Sequence, residues 1–221
     1  MARTPATNQR CEVISWHRFY ALARCLAHRV HDSGYRPQVI VAIGRGGYMP
    51  ARILSDFLGQ MDLTGFKIEH YRGAHKQVAA RVRYPLAADV AGRRVLLVDD
   101  VSDSGDTFAV ALEHLRRRGQ PAAVRTAVLH HKTVCPYVPD YYASRIVKWR
   151  WLIYPWALAE DLESFIGAMT PRPASPDAIA RRLAAEHGIR IARGLLLDVL
   201  SMMESTAASA ARTPTSAESV R

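Results

Sequence analysis

The chain has 221 residues, of which 49% are apolar and 23% charged, enough for one sizeable core with a small appendage. No run approaches the roughly 18 unbroken apolar residues of a membrane span, and Met1–Arg10 lacks the apolar core of a signal peptide, so a cytoplasmic protein without a membrane partner is expected. Cys11, Cys25 and Cys135 are far apart and form no C-x-x-C pair, which argues against a disulfide framework and a thiolate metal site.

The formal net charge is +10. Nucleic acid, an acidic membrane and a multiply phosphorylated small molecule all suit such a chain, and charge alone does not choose among them. After Thr170 seven Arg face five Asp and Glu, a net of +2, so +8 belongs to Met1–Thr170. The basic excess is in the body of the protein and is not a tail.

In chain order, "SWHRFYALARCLAHRVHDSG" offers Ser15 as an N-cap and sets Phe19, Leu22, Ala23, Leu26 and Val30 on one helical face until Gly34. "QVIVAIGRGG" is a β-branched run ending in a glycine turn, and "YMPARILSDFLG" resumes helical spacing up to Gly59. "FKIEHY" reads as a strand. "RGAHKQVAARVRYPLAADVAG" is charged and weakly periodic, a mobile loop or a loose hairpin. "RRVLLVDD" is a strand ending on two acids, "DTFAVALEHLRRRG" a helix closed by Gly119, and "AAVRTAVLHH" a further strand. Alternation of strands and helices predicts an α/β fold, a parallel twisted sheet with helices on both faces.

In such sheets ligands bind beyond the carboxyl ends of the strands, where Gly44–Gly47 and Asp99–Thr107 both fall. Asp99 and Asp100 emerge at that rim, able to hydrogen-bond vicinal hydroxyls and to address a hard cation. Ser102, Asp103, Ser104, Gly105, Asp106 and Thr107 then supply backbone N–H groups and small hydroxyls at a helix N-terminus, a cradle for a sugar phosphate.

Four apolar residues, two acids, two more residues and then Asp-Ser-Gly-x-Thr resemble the 5-phosphoribosyl-1-pyrophosphate (PRPP) signature of the type I phosphoribosyltransferases. "IGRGG" resembles that family's pyrophosphate loop; "HHKTVCPYVPDYY" and "WRWLIYPW" resemble the purine-binding segments of its 6-oxopurine members, the xanthine-guanine and hypoxanthine enzymes. The resemblance covers about Val13 to Glu163. It implies the family fold with a small hood, and a homodimer or homotetramer. Asp99 and Asp100 match the acids that address the ribose hydroxyls and the Mg²⁺ shell, directly or through water, and Asp103 the acid-base residue near purine N7. Arg45, Gly46 and Gly47 match the pyrophosphate loop, while Ser102 falls within, and Ser104, Gly105, Asp106 and Thr107 match, the 5′-phosphate loop. Lys132 matches the donor to the purine 6-oxo group, Trp151 the aromatic stacked on the base, and Leu152 the backbone beside it. Asp106 departs from the family in placing a negative charge where many relatives have glycine, so its side chain is expected to turn from the phosphate.

The implied activity is transfer of phosphoribose from PRPP to N9 of a 6-oxopurine, in purine salvage. Each role has a plainer rival: the two acids could cap a strand end, the glycines make a tight turn, Lys132 lie solvated in a loop, and Trp151 serve as core. The coincidence of acid pair, glycine and threonine in register favours function. His130 and His131, adjacent on a strand, point to opposite faces and offer no metal pair. Tyr71–Tyr84, with Arg72, Lys76, Arg81 and Arg83, is expected to be a lid over PRPP.

The domain itself is read over 1–170. "SPDAIARRLAAEHGIRIARGLLLDVLSMM" reads as a helical extension over 171–204, an αα-hairpin started by Ser175 and Pro176 and broken at Gly188, with a disordered tail at 205–221. Its second helix is apolar, which disfavours nucleic acid as a partner. The alternative kept open is a PRPP-responsive regulator of the same fold that binds DNA or RNA.

Overall fold

The structure, a computed structural model, describes residues 9–72 and 78–212. In chain order the elements are β1 (Cys11–Val13), α1 (Trp16–Asp32), β2 (Val39–Gly44), α2 (Tyr48–Phe57), β3 (Leu63–Arg72), β4 (Val78–Tyr84), β5 (Arg94–Ser102), α3 (Asp106–Gly119), β6 (Ala123–Lys132), β7 (Tyr141–Ile146), β8 (Trp151–Ile153), α4 (Leu158–Gly167), α5 (Pro176–Arg182) and α6 (Arg193–Arg212). A π-helical turn, Leu183–His187, follows α5.

Trp16–Trp149 forms one compact unit. Its six-stranded sheet has the order β4-β3-β2-β5-β6-β7, parallel throughout except for the antiparallel edge strand β4. β2 and β5 are buried on both faces, which explains their unbroken apolar runs. Val39, Val41, Ile43, Val95 and Leu97 pack with Phe108, Ala111 and Leu115 of α3. The alternate residues Ile40, Ala42, Leu96 and Val98 point to the other face, where α1 and α2 lie against β2, β5, β6 and β7. α1 buries Phe19, Ala23, Leu26, Ala27 and Val30, the expected stripe, while Leu22 is half-buried.

One alternative is decided in this unit and one boundary moves. Of the two readings of the segment after β3, a mobile loop or a loose hairpin, the hairpin holds: β4 pairs with β3 from Ile68↔Val82 to Arg72↔Val78. Its period is two, with Ala80 and Val82 half-buried against the core and Arg81 and Arg83 exposed, a pattern hidden by the small alanine side chains. Of the expected lid, residues 73–77 lie outside the described residues, and 78–84 are strand. β5 also does not stop at its two acids. It runs on to Ser102, with Asp99 opposite Val128 and Ser102 opposite His131.

The described residues up to Ser15 and from Arg150 onward form a second unit. β1 and β8 pair in parallel, Cys11 opposite Trp151. Ile153, Leu162, Phe165 and Ile166 share one core with Ile179, Leu183, Ile189, Leu196, Val199 and Leu200. The helices expected as an extension from 171 are therefore integral to the core that the hood strands build. Ser175 caps α5, its hydroxyl accepting from the Ala178 N–H at 3.3 Å, with Pro176 as first helical residue. α6 continues to Arg212, past the expected tail boundary at 205, because Ala207, Ala208, Ala210 and Ala211 favour helix. The rest of that tail, 213–221, lies outside the described residues. Among the described residues no helix is long and apolar enough to cross a membrane.

Candidate active site

The strand order creates the crevice. After β2 the chain adds β3 and β4 on one side and then returns to place β5 on the other, so the loops after β2 and β5 diverge from neighbouring strand ends. Arg45–Gly47 follows β2 and Asp103–Gly105 follows β5.

The loop after β2 touches strand β5 itself. A Cβ on Gly46 would collide with the Asp100 carboxylate, and one on Gly47 with the Val98 carbonyl. Glycine at both positions permits that approach. The Gly44–Arg45 peptide is cis, Arg45 is exposed, and the Gly47 N–H donates to the Ile43 carbonyl at 2.9 Å.

At the end of β5, Asp99 is buried and Asp100 half-buried, and the Asp100 N–H donates to Asp99 Oδ1 at 2.9 Å. Burial first, and then the charge of Asp100, hold the Asp99 carboxyl well above the usual carboxylate range. Two acids crowded in this way suit oxygen chemistry: ribose hydroxyls, or a hard divalent cation that would relieve their repulsion. Among the described residues no group of three or more His, Cys, Asp or Glu is placed to hold a metal ion.

Gly105 caps α3 with φ +91°, a conformation that favours glycine, and no side chain caps the helix. A Cβ there would lie 3.0 Å from Tyr137 Cβ, and Tyr137 in turn stacks on Phe108 with centroids 5.0 Å apart. Tyr137 thus backs the loop. Ser104 Oγ donates to Asp106 Oδ2 at 2.9 Å, which ties the aspartate to its neighbour's hydroxyl. The Thr107 hydroxyl meets His70 Nε2 of β3 at 3.1 Å. Ser102 is turned away: it is 1% exposed and its hydroxyl bonds His131 Nδ1 at 2.8 Å, so only its backbone remains for the loop.

Lys132 ends β6, buried to 2%, and its Nζ donates to Asp103 Oδ2 at 2.8 Å. The candidates for the acid–base and the base-reading roles are thus an ion pair. Trp149, not singled out from sequence, completes the cluster. Its Nε1 donates to Asp103 Oδ1 at 3.1 Å, and its ring centroid lies 4.4 Å from Lys132 Nζ. Neither Trp149 nor His70 carried a local signal in the sequence.

Trp151 and Leu152 stand in β8 of the second unit. Trp151 packs against that unit's core and its Nε1 donates to Asp161 Oδ1 at 2.9 Å, while Leu152 is buried. Burial pushes the Asp161 carboxyl up to about 6, the charge of Glu160 adding to it and the indole N–H opposing.

Residues 11–161 match the family model described as a phosphoribosyl transferase domain. The xanthine-guanine phosphoribosyltransferase of Gluconobacter oxydans is 32% identical over 158 residues, 71% of this chain and 90% of that protein. A purine phosphoribosyltransferase from Pyrococcus horikoshii superposes with a TM-score of 0.59 at 31% identity, over 66% of this chain and 93% of that one. A Neisseria gonorrhoeae protein with bound ppGpp superposes with a TM-score of 0.60 at 25% identity, over 71% and 94%.

Proposed function

Because the chain belongs to the phosphoribosyl transferase family and is a phosphoribosyltransferase, we propose that it transfers the 5-phosphoribosyl group of PRPP to N9 of a 6-oxopurine, releasing pyrophosphate, as a step of purine salvage. The carrying observation is the Lys132–Asp103 pair at the ends of β6 and β5, beside a loop suited to a sugar phosphate. A 6-oxopurine offers an acceptor to the ammonium and an N–H to the carboxylate. The relatives from Gluconobacter and Pyrococcus bear the names of purine enzymes, and the gonococcal protein carries a guanine nucleotide.

The N9–C1′ bond forms as the C1′–oxygen bond to pyrophosphate breaks, through an oxocarbenium-like state, and the purine loses one proton. Lys132 donates to O6 and draws electron density from the ring, which makes that proton easier to lose. Asp103 receives it. Ser104, Gly105, Asp106 and Thr107 hold the 5′-phosphate through N–H groups and hydroxyls at the α3 N-terminus, with only the backbone of Ser102 contributing. Arg45, Gly46 and Gly47 hold the pyrophosphate. Asp99 and Asp100 fix the ribose hydroxyls and would hold Mg²⁺, which when bound would supply charge neutralisation for the pyrophosphate oxygens. Trp151 and the Leu152 backbone orient the base, with stacking worth roughly 1–3 kcal/mol on the scale of base–aromatic contacts. A homodimer or homotetramer is part of the reading, supported by exposed Trp16, Tyr20 and Phe57 on α1 and α2. The regulator alternative finds no support, because α5 and α6 spend their apolar residues on a core.

The test is incubation of the protein with PRPP, Mg²⁺ and guanine, xanthine, hypoxanthine or adenine in turn, with mononucleotide and pyrophosphate measured. At least one 6-oxopurine is expected to react and adenine to react poorly. Preference for adenine, or no mononucleotide from any base, refutes the reading.

A further inference from the structure

Lys132 is 2% exposed, although a lysine that reads the purine must meet it. Trp149 supplies much of the explanation. The face of its indole lies over the ammonium, with 4.4 Å between Nζ and the ring centroid, and its N–H reaches Asp103 Oδ1 at 3.1 Å. One side chain therefore covers both members of the pair. Trp149 is itself 40% exposed and Val147 beside it 73%, on a short connection between β7 and β8. Little burial holds that connection, so moving the indole outward disturbs no core.

We propose that Trp149 is a gate over the base-reading pair, closed on Asp103 and Lys132 in the free protein and displaced by the incoming 6-oxopurine. The inference rests on the proposed roles of Lys132 and Asp103. An indole offers Asp103 what a purine offers, an aromatic N–H donor. It offers Lys132 only a π face, where the purine brings a carbonyl oxygen. A 6-oxopurine replaces the first contact and improves the second, so exchange is favourable. Adenine presents an amino group to the ammonium and cannot improve it. Trp149 acts through Asp103 and Lys132, as a positioning residue that also keeps water from the pair.

The test uses full-length protein, W149F and W149A. Phenylalanine keeps a ring and removes the N–H donor; alanine removes both. A gate predicts that KM for the preferred 6-oxopurine falls about three- to tenfold in W149F, the order of one ordinary net hydrogen bond, as suits a partly exposed pair, with KM for PRPP within about twofold of native. W149A should show the same direction, with KM for adenine lowered by a similar factor. In native protein, GMP should make a tryptophan component more open to acrylamide quenching, and W149F should lack that component. A purine KM that rises in both variants, or quenching that GMP does not increase, overturns the gate. Native protein that makes no mononucleotide from any purine instead overturns the parent reading.

Discussion

Lys132→Met separates the chemical from the structural role of the ion pair. Methionine has a similar apolar stem and fills a buried site well, while the ammonium 2.8 Å from Asp103 is lost. A hydrogen bond to a charged group contributes about 1.5–3 kcal/mol, so kcat/KM for guanine is expected to fall about 10- to 150-fold. The phosphate loops lose no partner, and KM for PRPP should stay within about twofold. For stability two effects compete. Stranding a buried charge costs about 3–5 kcal/mol, whereas removing a buried ion from water-poor surroundings can be neutral or favourable. The exposures decide between them. The side chain of Asp103 is 31% exposed and can take water in place of its partner, while that of Lys132 is only 3% exposed, so its removal ends a desolvation cost. Tm should therefore be unchanged or a few degrees higher, on a scale of about 2–4 °C per kcal/mol for a chain of this size. The assay is a thermal melt with steady-state kinetics in which guanine and PRPP are varied separately. A Tm lowered by more than about 8 °C, with equal losses in both kcat/KM values, would refute the reasoning and make the pair structural.

Asp103→Asn should keep fold and PRPP affinity but lower kcat, toward the lower end of the roughly 10²- to 10⁴-fold range for positioned acid–base groups; unchanged kcat with a raised KM for PRPP would reassign Asp103 to phosphate or metal. Gly46→Ala drives a Cβ into the Asp100 carboxylate and should raise KM for PRPP. Asp100→Ala vacates that space, so the double variant should be non-additive by about 0.5–3 kcal/mol in kcat/KM, and strict additivity would deny the contact. Asp161, raised to about 6 in the fold against roughly 4 unfolded, contributes stability that is complete below pH 4 and is lost as pH rises through 6. Asp161→Asn keeps an acceptor for Trp151 without the charge. It should exceed native stability by roughly 1–2 kcal/mol at pH 8 and by almost nothing near pH 4, measured by urea unfolding, and an equal difference at both would remove Asp161 as the titrating group.

The loops after β2 and β5 were legible as loops because their pattern is local: acids, glycines and small hydroxyls follow one another at set positions around a helix start. The central strands were legible because burial on both faces leaves no room for polar residues. Strand ends were less so. β5 passes through Asp99 and Asp100 because its backbone still pairs with β6 there, and pairing depends on the neighbouring strand rather than on side-chain type. β4 was obscured by alanines, whose alternation of faces carries little hydropathy contrast. The second unit's core draws on residues from 11 to 203, a separation that no local pattern reports. Trp149 was passed over for a related reason: nothing in its neighbours announces that Lys132, seventeen positions earlier, comes to lie beneath its ring.

The site's glycines bind these observations together. Gly46 and Gly47 face Asp100 and the Val98 carbonyl, and Gly105 faces Tyr137, so at three places a ligand loop is pressed against a neighbouring element with no side chain between them. The position of the Asp100 carboxylate is therefore set by the β2 loop as much as by its own strand. That contact exists because β2 and β5 are neighbours in the sheet although β3 and β4 intervene in the chain. A Cβ added at Gly46 would displace the Asp100 carboxylate, so under the proposed roles it would disturb the ribose contacts and the pyrophosphate loop together. Loss of function at this glycine should accordingly appear first in the use of PRPP and only afterwards in the choice of base.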